Sequence, residues 1–302
     1  MHLFLTGASG WIGSAVTDEL LAHGHTVTGL ARSDASAAAL DAKGVTVVRG
    51  SLTDLDTIRA AAAAADGVVH LGFVHDFANF AESGRIERAV VQALGDTLAG
   101  SDRPLAVASG VATPMGRPLT EGDATPNVGP DAPRGGSEAL ALDFAGRGVR
   151  SIALRFAPTV HGPGDQGFSA TIAAVARRTG VSGYIGDGTN RWPAVHRTDA
   201  ARLVRLALES AEPGTRVHVV GEEGIAIKEM AEAHAAVLGL PVASIAPADA
   251  AEHFGWIAMF LGADVPTSNA LTRERFGWEP TGATLLDDIR AGVYAEAAPH
   301  NA

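Results

Sequence analysis

The sequence predicts an α/β protein, a doubly wound parallel sheet with helices on both faces and a smaller carboxy-terminal α/β lobe. Three observations carry that expectation. A short apolar strand at residues 3–5 runs into glycines spaced G-x-x-G-x-x-G, at Gly7, Gly10 and Gly13, and helix-forming sequence follows as far as Gly24. Strand-like and helix-like segments then alternate up to about residue 156, as strand, crossover helix, strand units require. The strands are continuous apolar runs bounded by turn residues, which suits a sheet covered on both faces.

The glycine-bearing turn organises the rest. Gly7 permits a sharp exit from the strand, Gly10 lets the backbone approach a pyrophosphate closely, and Gly13 lets the helix pack against the sheet. The unpaired amides and positive end of the helix dipole then face an anion. Three glycines alone are a weak signal; between strand and helix near the amino terminus they read as a nucleotide-binding turn, with Ser9, Trp11 and Ile12 as further contacts.

Further strands are predicted at 27–31, 45–49, 67–72, 105–109 and 151–156, with helices at 33–42, 53–65, 79–99 and 137–146 between them. After Pro158 the pattern loosens. Residues 158–192 are rich in glycine, and helical stretches at 200–210, 227–238, 249–261 and 285–297 alternate with short strands at 217–220 and 242–245. A dinucleotide-binding domain over 1–157 and a mainly substrate-binding lobe over 158–302 follow, part of the latter returning to the main sheet. Residues 253–261 are apolar almost all round, fitting a core helix, a pocket wall or a subunit contact. As a pocket wall the segment favours an aromatic or aliphatic substrate.

Composition bounds the function. The 302 residues are 46% hydrophobic with a mean hydropathy of +0.14, enough for one large core and a smaller one. Cysteine is absent, which removes disulfides, thiolate catalysis and cysteine-ligated metals. A net charge of −11 argues against nucleic acid or an anionic membrane as partner. No apolar run approaches the roughly 20 residues of a membrane span, and a strand stands where a signal peptide would, so a cytoplasmic location is expected. No His-rich spacing suggests a metal.

Four stretches carry a resemblance: Thr6-Gly7-Ala8-Ser9-Gly10-Trp11-Ile12-Gly13, Asp66-Gly67-Val68-Val69-His70-Leu71, Arg155-Phe156-Ala157-Pro158-Thr159-Val160-His161-Gly162-Pro163-Gly164-Asp165, and Val195-His196-Arg197-Thr198-Asp199-Ala200-Ala201. Over nearly its whole length the chain resembles an extended short-chain dehydrogenase/reductase of the NAD-dependent epimerase/dehydratase type. The resemblance implies a Rossmann-type fold, an NAD(P) cofactor contacted also by Leu71 and by Pro158 of the Arg-x-x-Pro segment under the nicotinamide, and a homodimer formed through the helices at 79–99 and 137–146. The tyrosine usual before Gly-Pro-Gly is here His161.

Cofactor choice turns on the end of the second strand. NAD enzymes place an acidic residue there, whereas this chain has Ala31-Arg32-Ser33. A guanidinium and a hydroxyl favour the 2′-phosphate of NADP, with NAD possible because Asp34 follows; Arg32 as a plain solvated loop residue is the alternative.

The family's reductive chemistry uses a tyrosine four residues before a lysine. The only lysines are Lys43 and Lys228 and the only tyrosines Tyr184 and Tyr294, and no pair has that spacing, which marks an atypical subgroup. In the expected place stands Arg134-Gly135-Gly136-Ser137-Glu138, Arg134 matching the tyrosine and Glu138 the lysine. Arg134 can polarise a carbonyl or hold a carboxylate but cannot donate a proton near neutrality, and Glu138 can accept from ribose hydroxyls. The bland alternatives are an exposed ion pair between the two, or a helix delayed to a cap at Ser137 that leaves Arg134 in a loop. The family's serine position falls on Gly110, leaving Ser109 to reach a substrate oxygen or only backbone.

Cleft histidines are the remaining proton donors: His75, beside Asp76, His161 and His196, each also open to a structural reading. Two hypotheses follow: an NADP(H)-dependent oxidoreductase or epimerase-like enzyme acting on a small molecule's carbonyl or imine, and a non-catalytic NADP-binding sensor. Dehydration or isomerisation with tightly held NAD is a weaker third.

Overall fold

The structure, a computed structural model, describes residues 1–76, 79–111 and 114–296. The main body is built from β1 (His2–Thr6), α1 (Trp11–Ala22), β2 (Thr26–Ala31), α2 (Asp34–Asp41), β3 (Thr46–Arg49), α3 (Leu55–Ala63), β4 (Gly67–His70), α4 (Phe80–Leu98), β5 (Pro104–Gly110), α5 (Ser137–Asp143) and β6 (Arg150–Phe156). The chain continues through β7 (Thr159–His161), α6 (Phe168–Thr179), β8 (Ser182–Ile185), β9 (Arg191–His196), α7 (Arg197–Ser210) and β10 (Thr215–Val219). It ends with β11 (Glu222–Ala226), α8 (Ile227–Leu238), β12 (Val242–Ile245), α9 (Ala250–Phe254), α10 (Ala258–Leu261), α11 (Ala270–Phe276) and α12 (Leu285–Arg290).

Seven strands form one sheet in the order β10-β6-β5-β4-β1-β2-β3, every pair parallel. The predicted Rossmann-type doubly wound fold is therefore present. Chain order reverses between β1 and β4, the switch point beyond whose carboxyl ends such sheets bind ligands. One apolar core packs α1 and α7 against one face, the other packs α3, α4 and α5 against the opposite face. β10, from the carboxy-terminal half, closes the far edge against β6.

The smaller lobe has its own core around Trp192, Met230, Phe254, Ile257 and Tyr294. It carries a three-stranded sheet, β11-β9-β7, and a parallel pair, β12-β8. The helix expected over 249–261 is broken: Gly255, at φ +67°, ends α9 in the left-handed conformation, and a single 3₁₀ turn leads into α10. Phe254, Ile257 and Leu261 are buried while Met259 is 75% exposed, so this segment is two-faced rather than apolar all round. The last helix stops at Arg290, and the end expected at 297 lies outside the described residues. Among the described residues no helix is long and apolar enough to cross a membrane.

Candidate active site

The glycine turn has the geometry that a diphosphate needs. Gly7 is left-handed (φ +70°), and a Cβ there would stand 2.7 Å from the Gly72 nitrogen; at Gly13 a Cβ would lie 2.0 Å from the Gly7 carbonyl oxygen. Side chains are therefore excluded where β1, α1 and the loop after β4 converge. α1 starts from Gly10 with no side-chain cap and no acidic residue in its first turn, so its leading amides are left for an anion. Trp11 fixes this end: its Nε1–H donates to the Val160 carbonyl (2.7 Å), and the Arg197 guanidinium lies 4.1 Å from its ring centroid. Leu71 and Pro158 are half-buried at the ends of β4 and β6. A cradle that only glycine fits, opposite uncapped amides, suits a dinucleotide.

At the end of β2, Arg32 is exposed and Ser33 caps α2, its hydroxyl accepting from the Ser36 amide (3.2 Å). A second guanidinium, unforeseen from sequence, stands beside them: Arg49 of β3 donates to the Ser33 carbonyl (2.6 Å) and to Asp34 (2.7 Å). Asp34 is thus an ion-paired carboxylate at the start of α2.

The Arg134-to-Glu138 stretch departs from the expected ion pair and comes close to the delayed helix, with the cap at Gly136 instead of Ser137 and Arg134 outside the helix. A 3₁₀ turn, Pro133–Gly136, precedes α5, and Arg134 is itself left-handed (φ 53°), a strained conformation for a non-glycine residue. The helix begins at Ser137 with Gly136 in the cap position. Arg134 and Glu138 do not pair with each other. The Arg134 guanidinium donates through Nη2 to Glu87 of α4 (2.9 Å) and lies 4.3 Å from the Phe73 ring centroid, with Nε buried and without a bond. Gly84 and Gly135 allow this approach of the turn to α4, since a Cβ on Gly135 would meet the Gly84 oxygen at 2.3 Å.

Glu138, expected to accept from ribose hydroxyls, is turned to protein donors in this structure. It is 5% exposed, and both carboxylate oxygens are taken: Oε1 accepts from Arg155 Nη2 (2.6 Å) and Nε (3.0 Å), Oε2 from the Ser109 hydroxyl (2.6 Å). The register aligns Ser109, Arg155 and His218 across β5, β6 and β10, so the three share one face under α5. The Ser109 hydroxyl therefore donates to this internal carboxylate, not to backbone. Glu138, which the sequence matches to the family's lysine, is one half of a buried ion pair with Arg155.

Of the three histidines, His161 and His196 are brought together, their rings edge-on with centroids 5.4 Å apart. His75 is exposed on the loop after β4, its ring edge-on to Phe73 with centroids 5.2 Å apart. His161 is corrected as a cleft donor: it is fully buried, with Nδ1 2.6 Å from Asp288 and Nε2 3.6 Å from Glu222. Burial opposes its protonation, but Glu222 and Asp288 outweigh it and raise the pKa above the ordinary histidine value. His196 caps α7 by accepting from the Thr198 amide.

Thr6, His70 and Glu87 complete the site and were not singled out from sequence. Thr6 Oγ1 lies 2.6 Å from His70 Nδ1, and His70 Nε2 lies 3.1 Å from Glu87 Oε2, all three side chains buried. The signal was present: Glu87 stands on the buried face of α4 with Ser83, Val90, Val91 and Leu94, a carboxylate in an apolar stripe.

The basic residues of the smaller lobe are engaged elsewhere. Arg191 pairs with Asp264 (3.1 Å) beside a concavity of about 540 Å³, Arg177 donates to the carbonyls of Tyr294 and Ala295, and Arg178 to that of His253.

Fold and site together define an NAD(P)-dependent enzyme built on a dinucleotide-binding sheet. The chain belongs to the NAD dependent epimerase/dehydratase family, whose model matches residues 3–221. It is 46% identical over 296 residues to an uncharacterised protein of Schizosaccharomyces pombe, covering 97% of this chain and 100% of that one. It is 27% identical over 259 residues to a 2-alkyl-3-oxoalkanoate reductase of Stenotrophomonas maltophilia, covering 80% and 77%. Among solved structures, dTDP-glucose 4,6-dehydratase of Streptomyces venezuelae, crystallised with NAD, superposes with a TM-score of 0.78 at 20% identity, covering 98% and 97%.

Proposed function

We propose that this enzyme transfers hydride between NADP(H) and the carbonyl or imine carbon of a small molecule, with Arg134 in the role that the family gives to tyrosine. One observation carries the reading. Arg134, which the sequence matches to the tyrosine, is anchored by Glu87 through one nitrogen, with its other donors not engaged by Glu87. A fixed cation beside a carbonyl oxygen stabilises the negative charge that grows there as hydride arrives. When bound, the nicotinamide supplies or accepts the hydride.

Arg134 holds its proton near neutrality, so the alcohol proton needs another source. His75 supports that role: it is exposed on the loop bearing Phe73, whose ring also carries Arg134. A protonated imidazole donates to the oxygen and is restored from solvent, which balances reduction of a ketone as one hydride plus one proton. Glu138, Ser109 and His161 keep structural roles.

Arg32 and Arg49 flank the end of β2, which supports NADP through charge-assisted bonds to a 2′-phosphate. Asp34, already paired with Arg49, is the one carboxylate there that a 2′-hydroxyl of NAD would use. An apolar substrate body is supported by Phe168, Trp256 and Phe260, whose rings cluster at the head of α6 with Trp256 41% exposed. The reductase relative named for 2-alkyl-3-oxoalkanoates points the same way, and Arg177, Arg178 and Arg191 are engaged by protein groups rather than open to a sugar nucleotide's diphosphate.

The test is NADPH oxidation against a panel of ketones, 2-alkyl-3-oxo acids and imines, with Arg134→Met beside it. Turnover of an apolar carbonyl compound that falls at least about 100-fold in the variant, with NADPH affinity kept, is expected. Tight NADPH binding with no turnover across the panel would overturn the proposal.

A further inference from the structure

A buried polar chain runs from the nucleotide turn to Arg134. The Gly72 amide donates to Thr6 Oγ1 (3.1 Å), and Thr6 Oγ1 lies 2.6 Å from His70 Nδ1, which accepts the Thr6 hydroxyl hydrogen when a neutral ring gives its Nε2–H to Glu87. His70 then presents its Nε2–H to Glu87 Oε2 (3.1 Å), and Glu87 Oε1 accepts from Arg134 Nη2 (2.9 Å). Every donor in this series has an acceptor, and the direction is set by the Glu87 carboxylate, which can only accept. Glu87 and His70 have side chains 1% and 0% exposed, whereas Arg134 is 29% exposed, so the chain opens to solvent only at the guanidinium.

Burial alone would push the Glu87 carboxyl up, but His70 and Arg134 outweigh it and hold the pKa below the ordinary value, keeping a carboxylate against the guanidinium. Arg134 needs such a hold. Its backbone is left-handed, its neighbours are Gly135 and Gly136, and Arg88 clamps the same turn by donating to the Gly135 carbonyl (2.8 Å). Among the described residues, Glu87 and the face of Phe73 are what hold the Arg134 side chain.

We infer that Glu87, itself oriented by His70 and Thr6, is a positioning residue that pre-sets the Arg134 guanidinium for its substrate. The inference rests on the role proposed above for Arg134 and extends it to residues that never touch the reacting atoms. A guanidinium fixed before the substrate arrives needs no reorganisation at the moment of hydride transfer. The same chain joins the cradle residue Thr6 to the reacting side chain, so the turn that grips the cofactor and the group that meets the substrate share one hydrogen-bonded line.

A double-mutant cycle tests this on the full-length enzyme with NADPH and 2-methyl-3-oxooctanoate as the probe, using Glu87→Gln, Arg134→Met and both together. Glu87→Gln is expected to lower kcat at least about 10-fold with KM for NADPH within about two-fold, and to lower it hardly at all once Arg134 is Met. An equal loss in both backgrounds, or none in either, would overturn the inference. Should Glu87→Gln fail to fold, Glu87→Asp keeps the charge but withdraws it by one methylene, with the same expectation in weaker form. The guanidinium NMR signals of Arg134 give a readout independent of turnover: restricted rotation in the wild type, lost in the Glu87 variant. Identical Arg134 signals in both proteins would sink the inference; an inactive wild type with the expected signals would sink the proposed reaction alone.

Discussion

Replacing Glu138 by glutamine separates two meanings of the residue that stands in the lysine position. The carboxylate accepts from Arg155 at 2.6 and 3.0 Å and from Ser109 at 2.6 Å, and the two partners of the ion pair have side chains only 2% and 6% exposed. Glutamine keeps the shape and one acceptor but leaves the Arg155 charge uncompensated; removing one partner of a buried pair costs about 3–5 kcal/mol. For a chain of this size that lowers Tm by roughly 5–8 °C. Arg216, 4.0 Å from the same oxygen, adds to the unbalanced charge. Thermal unfolding and fluorescence titration with NADPH, run side by side, give the answer: a large fall in Tm with cofactor affinity within a few-fold of wild type. A variant with unchanged Tm and NADPH binding weakened more than about 10-fold, one decade being 1.4 kcal/mol, would refute the structural role and return Glu138 to the ribose. Glu138→Lys, which restores the family's residue type, is expected to be worse than glutamine because it puts a second cation against Arg155.

Three further outcomes are expected. Gly13→Ala places a methyl 2.0 Å from the Gly7 oxygen, so the turn must open; isothermal titration should show dinucleotide binding lost while the secondary structure measured by circular dichroism persists. Arg32→Ala should lower kcat/KM for NADPH relative to NADH by about 10–100-fold, the worth of a charge-assisted bond of about 1.5–3 kcal/mol, and an unchanged ratio would move the 2′-phosphate site away from Arg32. Burial pushes the His234 ring down to about 4, so the unfolded chain takes up a proton that the native ring refuses. Stability is therefore full above pH 6.5 and falls as pH drops toward 4, by at most about 3 kcal/mol, and His234→Gln should flatten that limb of a urea-unfolding series. His161, whose pKa is raised, acts with the opposite sign: its contribution is present below pH 6.5 and is lost as pH rises through its native pKa.

Local chemistry made the sheet and its glycine turn legible. Gly7, Gly10 and Gly13 sit between an apolar strand and a helix, and at Gly7 and Gly13 a Cβ would stand 2.7 and 2.0 Å from backbone atoms. The break at Gly255 was readable in principle, since glycine at that place ends a helix, but the apolar residues on both sides outweighed it in the periodicity. The site was less legible because its key partners are distant in the chain. Arg155 and Glu138 are 17 residues apart, His161 and Asp288 127 apart, and no spacing rule announces such pairs. Arg134 and Glu138 lie at the i,i+4 spacing of a helical ion pair, yet the left-handed run through Gly136 turns their side chains to different partners. The one overlooked clue, Glu87 within the apolar stripe of α4, leads directly to Arg134.

The most direct measurement is a crystal structure of the enzyme with NADP⁺ and the hydroxy product of its best carbonyl substrate. The expected result is a diphosphate on the amides that open α1 and an Arg134 N–H within about 2.7–3.2 Å of the product oxygen, with Glu87 still holding the opposite edge of the guanidinium. An oxygen met by some other side chain, with Arg134 turned away from the nicotinamide, would contradict it.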